Sequence, residues 1–184
     1  MESDQERAAL VDAVIAEELD MFLDVQNRGG TSFCQEHPQT FRTMRRTSHS
    51  VQSDAFLQSY LEDLRQAKAA GRNLMVEKYA LMENLIPELS EDARIGMIVQ
   101  AEGQWRDTLA LLYPDIFRPD AGAHFRVYLS CELQTLSAKT LALYYDTVAQ
   151  AQREGRNLVR ERYEDLMRRL GFGSLAERQA ALRG

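Results

Sequence analysis

The sequence predicts an all-α protein, and three observations lead to this fold class. Residues that lose little on entering a helix dominate the 184-residue chain, which contains only 4 prolines and 10 glycines. Apolar residues recur three and four positions apart, and no stretch alternates as a strand would. Similar segments recur at a shift of 84 residues, which brings Gly71 onto Gly155. We therefore predict two tandem four-helix repeats packed as a pseudo-two-fold helical bundle.

The repeat needs no gap. Its clearest marker is Gly71-Arg72-Asn73-Leu74, which recurs as Gly155-Arg156-Asn157-Leu158. Further matches in the same register begin at the Glu18 and Glu102 pair. A chance match would not keep one register over such a span, so we infer a duplication. We expect a single all-helical domain over residues 1–184, made of copies at about 8–87 and 90–171 and a short C-terminal helix.

The first copy is predicted to contain four helices. Apolar residues share one face of the first helix, over 8–26. Proline is favoured at the first helical position, Ser and Asn at N-caps, and Gly just after a C-terminus. On these signals, the next three helices begin at Pro38, Ser53 and Asn73 and end near His49, Gly71 and Leu85.

The second copy repeats the pattern. Its first helix is predicted over 90–112, with Ser90 at the start. A Pro- and Asp-rich loop follows, then a short and a long helix that ends at Gly155, and a last helix over 157–170. Ser174 and Glu177 predict a capping box that opens the tail helix.

Composition excludes several classes of function. The formal net charge is -6, which argues against nucleic acid as a partner because that binding needs Lys and Arg to neutralise phosphates. No uncharged stretch approaches the length of a membrane span, and the acidic N-terminus does not resemble a signal peptide. Cys34 and Cys131 have no disulfide or metal-type spacing. We expect a cytoplasmic protein.

Charged residues on the apolar helix faces are the candidate binding site. A buried carboxylate needs a partner, and arginine suits both carboxylates and phosphates. Either the repeated Glu and Arg residues pair with one another and fix the helix register, or they line a polar cleft between the repeats. The candidate ligand-binding residues are Glu18, Arg42, Arg72, Glu77, Glu102, Arg126, Arg156 and Glu161.

Catalytic candidates come from residues that only one copy carries. Cys34 and His37 lie three residues apart in a distinctive loop, a spacing that suits a nucleophile and a base. Arg42 and His49 fit the loose Arg-x6-His spacing of some helical ribonucleases. Four inward glutamates suggest a carboxylate metal site, but the Glu-x-x-His pairs of di-metal bundles are missing. The sequence therefore assigns no metal ligand and no cofactor.

Four further motifs are distinctive: Gly29-Gly30 through Cys34-Gln35, Phe41-Arg42-x-Met44-Arg45, Tyr60-Leu61 and Gly71-Arg72-Asn73-Leu74-Met75-x-Glu77-Lys78-Tyr79. Together they resemble a bacterial family, the Domain of Unknown Function 4125, over nearly the whole chain. The resemblance implies a helical domain with no assigned activity. Some members of the family occur beside nucleotidyltransferase-like domains, which implies an accessory or substrate-recognition role.

The leading functional hypothesis is an accessory domain that binds a small anionic ligand or a partner protein in the cleft between its repeats. The first alternative is an enzyme that uses Cys34 and His37 or a carboxylate metal site. The second is a structural interaction protein, with a homodimer as one form that it can take.

Overall fold

The protein is described by a computed structural model that covers residues 2–26 and 33–184, without the side chains of Glu2, Ser3, Phe33, Cys34 and Pro119. The all-α prediction is confirmed, because this part of the chain forms α-helices and one 3₁₀ turn and contains no strand. Within the same ranges, no helix combines the length and the apolar content that crossing a bilayer requires.

The helices fall into two halves of similar length. The first half contains α1 (Glu2–Leu23), α2 (Phe33–Glu36), α3 (Pro38–His49), α4 (Asp54–Ala69) and α5 (Leu74–Met82). The second half contains α6 (Ala93–Leu112), a 3₁₀ turn (Pro119–Ala121), α7 (Gly122–Leu133), α8 (Ala138–Arg153), α9 (Leu158–Arg169) and α10 (Leu175–Arg183). At the shift of 84 residues, α3 coincides with α7 and α4 with α8 at both ends.

Asparagine caps begin α5 and α9, as predicted. The side-chain oxygens of Asn73 and Asn157 accept hydrogen bonds from first-turn backbone N–H groups, which satisfies donors that have no partner within a helix. Each amide group also donates to the first long helix of its half, to the carbonyl of Met21 over 2.9 Å and to that of Trp105 over 3.2 Å. The caps therefore fix α5 against α1 and α9 against α6.

Some predicted boundaries are wrong. Helix α1 begins at Glu2 instead of residue 8, and the short helix α2 was not predicted. Helix α6 is capped by Asp92 instead of Ser90: the Asp92 side chain accepts from the backbone N–H of Arg94 over 2.9 Å. The Ser90 hydroxyl accepts from the backbone N–H of Asp92 and so belongs to the turn before the helix.

The two halves pack into each other. Helix α1 contacts α3, α4 and α5, and α6 contacts α7, α8 and α9 in the same way. Between the halves, α4 packs on α8, while α3 packs on α9 and α7 packs on α5. The main hydrophobic core accordingly draws residues from both halves, and a smaller core joins α6 and α9 to the tail helix through Leu175. Because α3 and α7 each pack on a helix of the other half, they lie on opposite sides of a cavity.

Candidate functional site

Two carboxylates lie in the centre of the protein. Glu18 on α1 and Glu102 on α6 are both 0% exposed, so the prediction that they project into the core is confirmed. Ionised carboxylates at such positions are stable only when cations or hydrogen-bond donors compensate them. Their partners therefore define the polar interior of each half.

Glu18 is part of a charged network of five side chains, which we call the Arg45 network. The Arg45 Nε group donates to Glu18 over 2.9 Å, and His49 Nε2 lies 3.1 Å from both carboxylate oxygens. The guanidinium of Arg45 also contacts Glu132 of α7, over 3.2 Å, and Glu132 in turn contacts the ammonium of Lys78 at 3.2 Å. The network thus joins α1, α3, α5 and α7, with two cations opposite two carboxylates.

The Arg45 network shifts the pKa of both carboxyl groups. Burial alone would raise the pKa of Glu18, but the charge of Arg45 and the hydrogen bonds from Arg45 and His49 hold it well below the ordinary value of 4.5. Burial would likewise raise the pKa of Glu132, but the charges of Arg45 and Lys78 outweigh this effect and lower the pKa to about 2. Both groups are therefore ionised at neutral pH.

Glu102 has a poorer set of partners. It accepts a hydrogen bond from the hydroxyl of Tyr144 over 2.8 Å and pairs with Arg162 at 2.5 Å, while its Oε2 atom has no hydrogen-bond partner among the described residues. The positions that correspond to Arg45 and His49 hold Leu129 and Leu133. The two halves therefore keep the central glutamate but surround it differently.

Four of the predicted binding residues form pairs at the protein surface. Arg72 Nε donates to Glu77 over 2.8 Å, and Arg156 Nε donates to Glu161 over 2.9 Å. The Arg72 side chain is 53% exposed, and these pairs close the turns before α5 and α9. The expectation that Glu77 and Glu161 face the core beside Glu18 and Glu102 is wrong, because a half-buried helix face carries them.

Arg42 and Arg126, the other two predicted binding arginines, do not contact the central glutamates. Arg126 donates to Asp107 over 2.5 Å on the outside of α6 and α7. Arg42 is half-buried and has no ion pair among the described residues. Instead, Arg45 pairs with Glu18 and Arg162 pairs with Glu102, while Lys78 pairs with Glu132 in the Arg45 network. Each of these three cations lies four residues after a buried apolar residue of its own helix (Phe41, Leu158 and Leu74), and this spacing is the signal that sequence reasoning missed.

The three catalytic candidates have different outcomes. Residues 27–32 and the side chain of Cys34 lie outside the described part of the chain, so the Cys34 and His37 pair stays a prediction. His37 is exposed and precedes α3. His49 is buried against Glu18 and lines the cavity between α3 and α7.

That cavity has a volume of about 450 Å³, which lies in the usual range for small-molecule sites. Residues of α3 and α7 form its two sides, and α4, α6, α8 and α9 complete it. The first half contributes Met44, Arg45, Thr47, Ser48, His49, Gln52, Phe56 and Tyr60, and the second contributes Arg106, Ala121, His124, Phe125, Tyr128, Leu129, Glu132, Leu133, Leu136, Tyr144, Arg162, Tyr163 and Leu166.

Buried polar atoms without a partner concentrate around this cavity. Of the six such side-chain atoms in the described residues, four belong to residues that line it: Thr47 Oγ1, Gln52 Oε1, Arg106 Nη1 and Arg162 Nε. A fifth, on Glu102, belongs to the partner of Arg162 and Tyr144. Buried polar groups in folded proteins are nearly always satisfied, so a cluster of exceptions calls for a specific cause.

Arg106 is the most unusual of these residues. It is only 6% exposed, and its Nη2 group donates to the backbone carbonyl of Arg118 over 2.9 Å. Its Nη1 atom is buried without a partner, and no described carboxylate lies within ion-pair distance of it. Phe125 lies under the guanidinium, with 6.0 Å to the ring centroid. A buried guanidinium without an ion pair among the described residues therefore borders the cavity.

The other arginines of the cavity lining are paired. Arg45 pairs with Glu18 and Glu132, and Arg162 pairs with Glu102. Among the described residues of the lining, Arg106 is therefore the one arginine without an ion pair. Sequence reasoning did not select this residue, although it lies one turn after Glu102 on the buried face of α6. Within the described ranges, no three His, Cys, Asp or Glu side chains are arranged to hold a metal ion.

Comparison with known proteins gives a family and no activity. No curated protein and no solved structure matches the chain significantly. One family model matches residues 8–180, which is nearly the whole sequence. The chain belongs to the family described as "Protein of unknown function (DUF4125)".

Proposed function

We propose that the protein is a binding domain for a small organic anion, which occupies the cavity between α3 and α7. The observation that carries this proposal is Arg106, a buried residue of the cavity lining whose guanidinium has one N–H group without a hydrogen-bond partner and no ion pair with a carboxylate in the described residues. An anionic ligand supplies both the missing charge and the missing acceptor.

The energetic argument rests on the cost of an uncompensated charge. Removing an ion from water costs several kcal/mol, and folded proteins avoid this cost by pairing buried charges. A methionine would fill the place of Arg106 without that penalty. Proteins keep residues that lower the stability of the fold mainly at functional sites. The position of Arg106 on the cavity wall fits this explanation.

The arrangement of the helices supports a cleft between two repeats. Corresponding helices have corresponding contacts: α3 packs on α9 as α7 packs on α5, and α4 packs on α8. We infer a pseudo-two-fold axis that passes between α4 and α8 and relates the two sides of the cavity. The ligand site then lies where the duplicated units face each other, which is a common place for a pocket.

Calorimetric titration of the full chain tests the proposal. The probes are indole-3-acetate, a carboxylate, and benzyl phosphate. We expect at least one of them to bind, and Arg106→Met to weaken that binding by about 30-fold or more, because removing one partner of a buried charge pair costs about 2 kcal/mol or more. Arg183→Met is the matched control, since Arg183 is paired with Asp115 and neither residue lines the cavity.

The control variant is expected to bind within about 2-fold of the wild type, because it changes the net charge but not the cavity. Equal binding by the wild type and both variants would place the anion elsewhere. Absence of binding by both probes would remove the proposal.

A further inference from the structure

The two sides of the cavity differ at positions that correspond in the two halves. On the α3 side lie Arg45, His49 and Gln52. The shift of 84 residues places Leu129, Leu133 and Leu136 at the same positions on the α7 side, and these leucines also line the cavity. One side is therefore polar and the opposite side apolar, although both have the same backbone framework.

The fold does not require this difference. Tyr60 and Tyr144, another corresponding pair on the cavity wall, are identical. On the α7 side, leucines pack well at all three positions, which shows that apolar residues satisfy this framework. Arg45 and His49 compensate the buried carboxylate of Glu18, so the difference between Gln52 and Leu136 is the one that this pairing does not explain.

Two α3-side groups have hydrogen-bonding capacity left over. Gln52 is 3% exposed and Thr47 is 5% exposed, and both line the cavity. Neither the side-chain carbonyl oxygen of Gln52 nor the Thr47 hydroxyl has a partner among the described residues. A buried amide carbonyl can only accept, so its missing partner is an N–H or O–H donor.

The charge balance limits the anionic group. Arg106 supplies one uncompensated positive charge, and Glu132 lies on the same cavity wall. A monoanion supplies one negative charge for this one guanidinium. A phosphate monoester carries nearly two negative charges above its second pKa of about 6, so it would leave a buried excess charge beside Glu132.

We propose, on the basis of the binding function above, that the ligand is a monocarboxylate whose apolar body carries a hydrogen-bond donor on one edge. The carboxylate binds Arg106, the apolar face packs on Leu129 and Leu133, and the donor faces Gln52. The class includes aromatic acids with a ring N–H group or a hydroxyl group.

Matched probes separate the parts of this proposal. Indole-3-acetate and naphthalene-1-acetate have similar shape and charge, but only the first has a ring donor. Phenylacetate and benzyl phosphate share an apolar body, but at pH 8 the second is a dianion. We expect the wild type to bind indole-3-acetate about 10-fold more tightly than naphthalene-1-acetate, and phenylacetate about 10-fold more tightly than benzyl phosphate. A buried hydrogen bond or charge pair that is not made costs about 1.4 kcal/mol or more, which corresponds to this factor.

Two exchange variants test the two sides. Positions 52 and 136 correspond in the two halves. Gln52→Leu places leucine at both positions, and Leu136→Gln places glutamine at both. Gln52→Leu is expected to abolish the preference for the indole, bringing the two arylacetates within about 2-fold of each other. Leu136→Gln is expected to weaken naphthalene-1-acetate by about 10-fold, because an amide then lies against an apolar ring. Urea unfolding of each variant confirms that the fold is intact.

The outcomes distinguish this inference from the function on which it rests. If neither arylacetate nor benzyl phosphate binds, or if Arg106→Met has no effect, the anion site itself is wrong. If anions bind through Arg106 but benzyl phosphate binds more tightly, or if Gln52→Leu retains the indole preference, the site stands and the monocarboxylate class is wrong.

Discussion

The Nε group of Arg45 donates to the carboxylate of Glu18 over 2.9 Å, and both side chains are buried. This pair anchors α3 to α1 and thereby positions one side of the cavity. Glu18→Gln removes the negative charge and leaves Arg45 with Glu132 alone. We expect the free energy of unfolding to fall by about 3–5 kcal/mol, as for other broken buried ion pairs. Urea denaturation measures the change.

Glu77→Gln is the matched control for this substitution. Its carboxylate pairs with Arg72, which is 53% exposed, and exposed pairs contribute less than about 1 kcal/mol. Equal losses for the two variants would mean that the buried pair contributes no more to stability than a surface contact.

Acid is expected to destabilise the protein through the Arg45 network. The pKa of Glu132 is about 2 in the folded protein against an ordinary value of 4.5. A lowered folded-state pKa stabilises the fold above pH 4.5, and this contribution is lost as the pH falls through about 2, because the unfolded chain takes up the proton first. The contribution is on the order of 3 kcal/mol.

Unfolding by urea at a series of pH values between neutrality and acid measures this loss. Glu132→Gln is less stable at neutral pH but is expected to lose less additional stability on acidification. Parallel pH curves for the wild type and the variant would show that Glu132 does not titrate in this range.

Glycine-to-alanine substitutions are expected to differ in sign along the chain. Gly71 has φ of 71° and Gly155 has φ of 65°, in the left-handed region that costs an L-residue about 1 kcal/mol or more. Both variants should therefore lose stability by similar amounts. Gly96 has ordinary helical φ and no atom within 4 Å of an added Cβ, so Gly96→Ala should gain up to about 1 kcal/mol. Thermal unfolding of the three variants measures the signs, and a loss at Gly96 would be contrary to expectation.

Arg106→Met is expected to stabilise the free protein while it weakens anion binding. The substitution removes an unpaired buried charge and keeps most of the side-chain volume. The gain should be about 1–3 kcal/mol, as when buried ionic groups are replaced by apolar residues. Chemical denaturation without added ligand measures it. A large loss of stability would identify Arg106 as a structural residue that supports the 3₁₀ turn through the Arg118 carbonyl.

Local signals in the sequence predict the helices well. Ser53, Asn73, Ser137, Asn157 and Ser174 all cap helices through their side chains. These contacts involve residues two or three positions apart, so a short window of sequence contains both partners. The buried positions of Glu18 and Glu102 follow equally from the apolar residues around them on one helix face.

The partners of the buried glutamates depend on tertiary packing and could not be predicted in the same way. Arg42 and Arg45 lie three residues apart on α3, and the rotation of α3 against α1 brings Arg45 to Glu18. Arg106 stands out only because it is buried without an ion pair among the described residues, and the sequence alone does not show which carboxylates lie near an arginine. The cavity depends on the separation of α3 and α7, which no single segment encodes.

The most direct test of the anion site is a crystal structure of the protein with indole-3-acetate. We predict that a carboxylate oxygen lies within about 3.2 Å of Arg106 Nη1, with the indole ring in the cavity between α3 and α7. A structure in which the anion binds outside this cavity, or in which a carboxylate of the protein itself neutralises Arg106, would contradict the account.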